Sequence, residues 1–178
     1  MARLHWNQET HKKYEVGVDR GVFYPKVGLA EPWNGLISVA ESSISEGVSS
    51  YYLDGVKYYD DVPKTLPKMT ITAMVAPSGL QEALGNESVI PGFILTKQKK
   101  KEFGFSYRTQ LGNGLGYKIH LLYNAIATSS NQKSSTLTDT NNLESQSWVL
   151  NTTPITYPGI GFISHIVFDS TKMIPEQL

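Results

Sequence analysis

FGFSYRTQLGNGLGYKIHLLYNAIAT, residues 103–128, holds two runs in which apolar and polar residues alternate, 103–109 and 116–127, on either side of a break carrying Gly112, Asn113 and Gly114. Successive side chains of a strand point to opposite faces, so this alternation around a glycine-bearing turn specifies an antiparallel hairpin. Aromatic and β-branched residues recur on it at a period of two, and no acid, base or nucleophile recurs at a spacing that would assemble a catalytic site. The glycines at 112, 114 and 116 invite comparison with a phosphate-cradling loop. Such a loop needs a helix N-terminus behind it, and here a strand pattern follows, which leaves a hairpin turn.

The same punctuation organises the rest of the chain. Residues 14–24 alternate as a strand pair or bent strand, with Gly17 and Gly21 marking bulges or close approaches and Pro25 ending it. The turn cluster EPWNG at 31–35 leads into a short strand at 36–39. Tyr51, Tyr52 and Leu53, then Asp54-Gly55, then 56–59 spell a hairpin, because Asp-Gly supplies the positive φ angles of a type I′ turn. Period-two alternation resumes at 68–75. A capping Pro77 or Ser78 ahead of helix formers, with Gly85 behind, gives one short helix at 78–84. Two last strands are expected near 147–153 and 162–169. The polar start at 1–13 reads as an arm, and the Ser-, Thr-, Asn- and Gln-rich stretch at 129–147 as a long exposed loop. The expected fold is therefore mainly antiparallel β, a sandwich or distorted barrel with one flanking helix, in one domain spanning 1–178.

Composition narrows the function classes. Sixteen Lys and Arg balance sixteen Asp and Glu, and charged residues make up 18% of the chain, against about a quarter in typical domains. Weak self-repulsion favours association, and the absence of a cationic excess argues against a general duplex-DNA binder. Cysteine is absent, which removes disulfides and thiolate metal sites. Without an apolar leader-like run or a stretch of about eighteen apolar residues, the chain is expected to be unsecreted and soluble.

No residue is assigned as catalytic, cofactor-binding or metal-ligating. His5 and His11 lie in the polar start, and His120 and His165 sit singly in apolar strand patterns. Asp60 and Asp61 are adjacent on a strand and face opposite ways, so they cannot flank one bond. Ser106, Ser164 and Ser170 lack a nucleophile-elbow context. The basic run KQKKK at 97–101 could meet phosphates, but it reads more simply as a lysine-rich strand edge that discourages unwanted pairing. Trp33 with Tyr51, Tyr52, Tyr58 and Tyr59 could form a sugar-stacking platform; core or subunit-interface packing is the favoured alternative.

Taken in order, YEVGVDRGVFYP, PWNGLISV, YYLDGVKYYD, the 103–128 hairpin and the late IVFDS resemble the major tail, or tail tube, proteins of long flexible-tailed bacteriophages over residues 14–170. The resemblance implies a non-enzymatic virion subunit, made in the host cytoplasm, whose hexameric rings stack into a tube through which viral DNA passes without sequence-specific binding. It implies other tail proteins as partners at the tube ends, and neither membrane nor cofactor. In a tube, the segments 42–50 and 129–147 become candidates for arms that order on ring stacking, and the 97–101 lysines should avoid the lumen, where phosphate contacts would retard DNA. Two alternatives share the β-rich architecture: another tail or connector component, such as a tail completion or distal tail protein, and a carbohydrate-binding module using Trp33 and the nearby tyrosines.

Overall fold

The computed structural model describes residues 14–44, 49–61, 66–112, 114, 116–129 and 144–173. Its strands are β1 (Glu15–Pro25), β2 (Glu31–Trp33), β3 (Leu36–Ile44), β4 (Ser49–Leu53), β5 (Val56–Asp61) and β6 (Leu66–Ala73). The helix α1 (Ser78–Ala83) precedes β7 (Glu87–Ile90), β8 (Phe93–Leu95), β9 (Phe103–Leu111) and β10 (Tyr117–Ser129). The last strands are β11 (Gln146–Thr152), β12 (Ile155–Tyr157), β13 (Gly161–Ile163) and β14 (His165–Asp169). Among the described residues eight strands form one antiparallel sheet in the order β2-β1-β9-β10-β11-β6-β3, with β14 also on β10; β4–β5, β7–β8 and β12–β13 are separate two-stranded hairpins.

The β9–β10 hairpin sits at the centre of the sheet. Phe103, Phe105 and Tyr107 of β9 all point into the core, as the period of two requires. The turn closes through Leu111 N donating to Gly116 O at 2.9 Å and Gly114 N to Leu111 O at 2.9 Å. On β10 the inward set is His120 and Leu122, then Ala125 and Ala127, because a register shift between Leu122 and Ala125 changes the parity. Asn124 takes φ 44 there, a left-handed conformation that asparagine tolerates better than most side chains. The same shift marks a change of partner: β14 pairs residues 118–122 and β11 pairs 125–129.

The sheet curls strongly. Only Asn34 and Gly35 separate β2 from β3, yet these strands lie at opposite ends of the strand order, so the two ends must approach each other. Gly35 O accepts from Met74 N at 2.9 Å, and the Trp33 indole donates to Val75 O at 2.9 Å. Gly21 leaves room for this crossing: a Cβ there would meet Leu36 Cδ1 at 2.5 Å and Trp33 O at 2.9 Å. Among the described residues no ladder joins β1 to β3, so the sheet does not close into a barrel. Inside the curl Trp33 meets Phe105 and Trp148 edge-on, at 5.2 and 5.4 Å, in one buried core with Met69, Ile71 and Leu150. Each such side chain contributes about 1.5–3 kcal/mol on burial.

Helix α1 adds Leu80 and Ala83 to this core. Its start follows Pro77, and no side chain of its own caps it. Glu31 of β2 does so instead, accepting from Gly79 N at 3.2 Å and Ser78 Oγ at 2.8 Å.

Several sequence expectations take a different form. The strand expected at 36–39 runs to Ile44, held by β6 along its length. The single strand expected over 162–169 breaks at Ser164, whose carbonyl accepts from Tyr123 N at 3.0 Å beside the β10 register shift; β13 folds back on β12 and β14 joins the main sheet. The run 97–101 is not a strand edge. Lys97 takes φ 64, and the segment lies along the helix through Gln98 N to Gly85 O at 2.7 Å and Lys101 N to Ala83 O at 3.0 Å. The arm 1–13, most of the loop 129–147 and the centre of 42–50 lie outside the described residues.

Candidate functional site

Where the ends of the curled sheet approach, the core gives way to a polar seam. A stack of rings leads into it from the apolar side: Phe105 on Tyr107 at 5.5 Å, Tyr107 on His120 at 4.5 Å and 9°, then His120 on His165 at 5.4 Å and 21°. Tyr107 and His120 are direct cross-strand partners on β9 and β10. His165 reaches the same face because β14 pairs Leu122 with His165 and His120 with Val167, a diagonal offset of two. Glu41 comes from β3 at the far end of the strand order, brought over by the curl.

Three potential ligand atoms converge. His120 Nδ1 lies 3.2 Å from Glu41 Oε1 and 3.3 Å from His165 Nε2, and His165 Nε2 lies 3.9 Å from Glu41 Oε1. The Tyr107 hydroxyl donates to that same Glu41 oxygen. On the other edge of the His120 ring, Nε2 meets Thr109 Oγ1 at 3.3 Å and Glu15 Oε2 at 3.5 Å. Glu15 also pairs with Lys118 and accepts from Thr109 Oγ1 at 2.8 Å. An open cleft of about 420 Å³ flanks these groups, lined in part by Glu15, Ile37, Glu41 and Thr109.

The charges follow the contacts. Glu41 is held down to about 2, chiefly by its hydrogen bond with His120 and further by that with Tyr107, against the opposing effect of burial. Burial, and then the Glu41 carboxylate, push the Tyr107 hydroxyl well above its ordinary value. Burial also lowers the imidazole pKa of His165. The Lys118 ammonium holds Glu15 below the usual carboxylate range.

A second feature lies on the outside. The hairpin β4–β5 exposes Tyr51, Tyr52, Leu53, Val56, Tyr58 and Tyr59. β7–β8 exposes Val89, Ile90, Phe93, Ile94 and Leu95, and β12–β13 exposes Tyr157 and Phe162 with Ile160 at its tip. Asp54 at φ 51 and Gly55 at φ 75 make the β4–β5 turn type I′, as the sequence predicts, and Tyr51 stacks on Tyr59 at 6.3 Å. A two-stranded hairpin is marginal in water by itself, and clustered apolar surface of this kind marks interaction sites.

The residues singled out in the sequence fall as follows. Trp33 is buried in the core at 2% exposure and cannot stack on a sugar, whereas the four tyrosines are exposed on β4–β5. Asp60 accepts from Ser50 Oγ at 2.6 Å and pairs with Lys57 at 2.8 Å on an exposed strand. Ser106 is buried against the Tyr24 hydroxyl at 3.1 Å, and Ser170 Oγ accepts from Tyr117 N at 2.9 Å. Lys100 reaches Thr128 Oγ1 at 3.2 Å, and Lys101 pairs with Glu82 at 3.3 Å. His120 and His165 do not stand singly: they meet through a β10–β14 pairing that leaves only alternation as its trace in the sequence. Glu41 in SVAES carried no signal, since nothing local fixes which element it will face.

Among the described residues the fold is thus mainly antiparallel β, one curled sheet with a single short helix and three outlying hairpins. No family model matches the chain, and no curated protein matches it. Among solved structures it is similar to the sheath/tube terminator of an extracellular contractile injection system, PVC, in the extended state, with 15% identity over 87% of this chain and 97% of that one. The TM-score is 0.41, a likeness too loose to carry structural or functional weight.

Proposed function

We propose that this chain is a structural subunit of a phage tail, the major tail tube protein, which acts by assembling with copies of itself and carries out no reaction. The observation that supports this most is the set of three hairpins, β4–β5, β7–β8 and β12–β13, which carry bulky apolar side chains outside the main sheet. Left in water these hairpins would be weakly held and prone to aggregate; laid on neighbouring subunits they become the assembly contacts. The order of sequence blocks along residues 14–170 supports the tail assignment, and the balanced charge suits a lumen that must let DNA slide. A closed ring uses the same surfaces on every copy, so hexamers stacked into a tube satisfy every hairpin except those at the ends.

Negative-stain electron microscopy of the purified protein over a concentration series, with its mass in solution, tests this reading. Stacked hollow rings are the expected result. Single rings that never stack would replace the tube role by that of a terminal or connector component, and a monomer at every concentration would overturn self-assembly.

A further inference from the structure

The polar seam has the donor set and the dimensions of a metal site. The nearest point equidistant from three atoms separated by 3.2, 3.3 and 3.9 Å lies about 2.0 Å from each, and a point slightly out of their plane about 2.1 Å, the lengths of zinc–imidazole and zinc–carboxylate bonds. We infer that Glu41 Oε1, His120 Nδ1 and His165 Nε2 bind a divalent transition-metal ion of the zinc type, with a fourth position open to water from the adjoining cleft.

The surroundings match what such a site requires. Imidazole and carboxylate donors without thiolate suit zinc and its first-row neighbours rather than calcium or magnesium, which prefer oxygen alone. A ligating histidine ordinarily donates from its other nitrogen to an oxygen, which fixes the tautomer; His120 Nε2 has Thr109 Oγ1 and Glu15 Oε2 in that place. The ligating carboxylate is likewise held, by the Tyr107 hydroxyl. Stacking of His120 between Tyr107 and His165 keeps the rings in place before any ion arrives. The cleft beside Glu41 and Glu15 gives an entry path lined by negative charge.

The position defines what the ion would do. Glu41 belongs to β3, the last strand of the order, and the two histidines to β10 and β14 near its middle, and among the described residues no ladder joins β3 to either. The ion therefore fastens the free edge of the curled sheet across the seam. It would stiffen the subunit without acting on a substrate, since binding energy gained only in the folded state adds to folding stability.

The test uses untagged, chelator-treated full-length protein carrying His5→Ala and His11→Ala, so that His120 and His165 are the only histidines left. Titration calorimetry with zinc chloride is expected to show one ion per chain at micromolar free zinc. Cobalt(II) should give the intense visible absorption of a four-coordinate ion, and the melting temperature should rise saturably with zinc. Glu41→Gln and His165→Gln, made separately and shown by circular dichroism to keep the β-rich spectrum, should each weaken binding by at least about 100-fold. No saturable zinc binding by the parent, or binding undiminished in either folded variant, would overturn the site. Because these readouts concern the subunit alone, they stand or fall independently of ring formation.

Discussion

Tyr58→Ala in the β4–β5 hairpin should separate folding from assembly. Tyr58 is 77% exposed, on a strand with no buried residue and outside the main sheet. A buried tyrosine covers roughly 150–250 Å², so sealing what Tyr58 leaves open would remove on the order of 100–200 Å² from water. At about 25 cal/mol per Å² this sets a ceiling of ~3–5 kcal/mol per contact. Lost rotamer freedom and imperfect desolvation reduce it, leaving about 2 kcal/mol, the scale of an aromatic hot spot. One such contact per interface shifts the concentration needed for assembly roughly 30-fold. The folded subunit should hardly notice, because a surface change of this kind stays within about 0.5 kcal/mol, or ~1–2 °C in melting temperature for a chain of this size. Sedimentation velocity across a concentration series, with calorimetric melting of the dilute protein, measures both quantities. An unchanged assembly concentration would refute the role of this hairpin, and a melting temperature lowered by many degrees would show that Tyr58 is packed within its own subunit.

Three further outcomes follow from the packing and the charges. Phe105→Ala removes a fully buried ring that touches Trp33 and Tyr107, and should cost about 3–5 kcal/mol in urea unfolding; a loss below about 1 kcal/mol would mean that the curl collapses freely onto the gap. Asn124→Val should destabilise by about 1–2 kcal/mol while Asn124→Gly is neutral or mildly stabilising, because φ 44 at the β10 register shift penalises a branched side chain; equal effects of the two would discount the left-handed backbone. Asp19 accepts two bonds from Arg108, at 2.7 and 2.6 Å, which with the bond from Gln110 hold its carboxyl below the ordinary value. Its contribution is therefore full above the unfolded carboxylate pKa, near pH 4, and is lost as pH falls through the lowered folded value. With Asp19 partly exposed, solvent screening keeps this near 1 kcal/mol or less. Asp19→Asn should lower stability at neutral pH and converge with the parent in acid, and a gap that persists in acid would assign the loss to packing.

Local chemistry set the elements that sequence could name. Asp54-Gly55 allows positive φ at both turn positions, Gly17 and Gly21 fall where β1 shifts register against β9, and Phe103, Phe105 and Tyr107 alternate because a strand presents every second side chain to one face. These signals depend on neighbours a few residues apart, so they survive without knowledge of the fold. The β10 register shift was hidden, because continuous alternation in the sequence does not reveal that parity changes where one partner strand replaces another. The convergence of Glu41, His120 and His165 was hidden for a stronger reason. Their separation along the chain carries no periodicity, and they meet only because the strand order returns β3 to the opening of the curl and places β14 on the same strand as β11. The exposed hairpins show the same division: the sequence left Trp33 and the tyrosines between a sugar-stacking platform and core or subunit-interface packing, and only the tertiary arrangement showed that the subunit buries Trp33 and leaves Tyr58 outside.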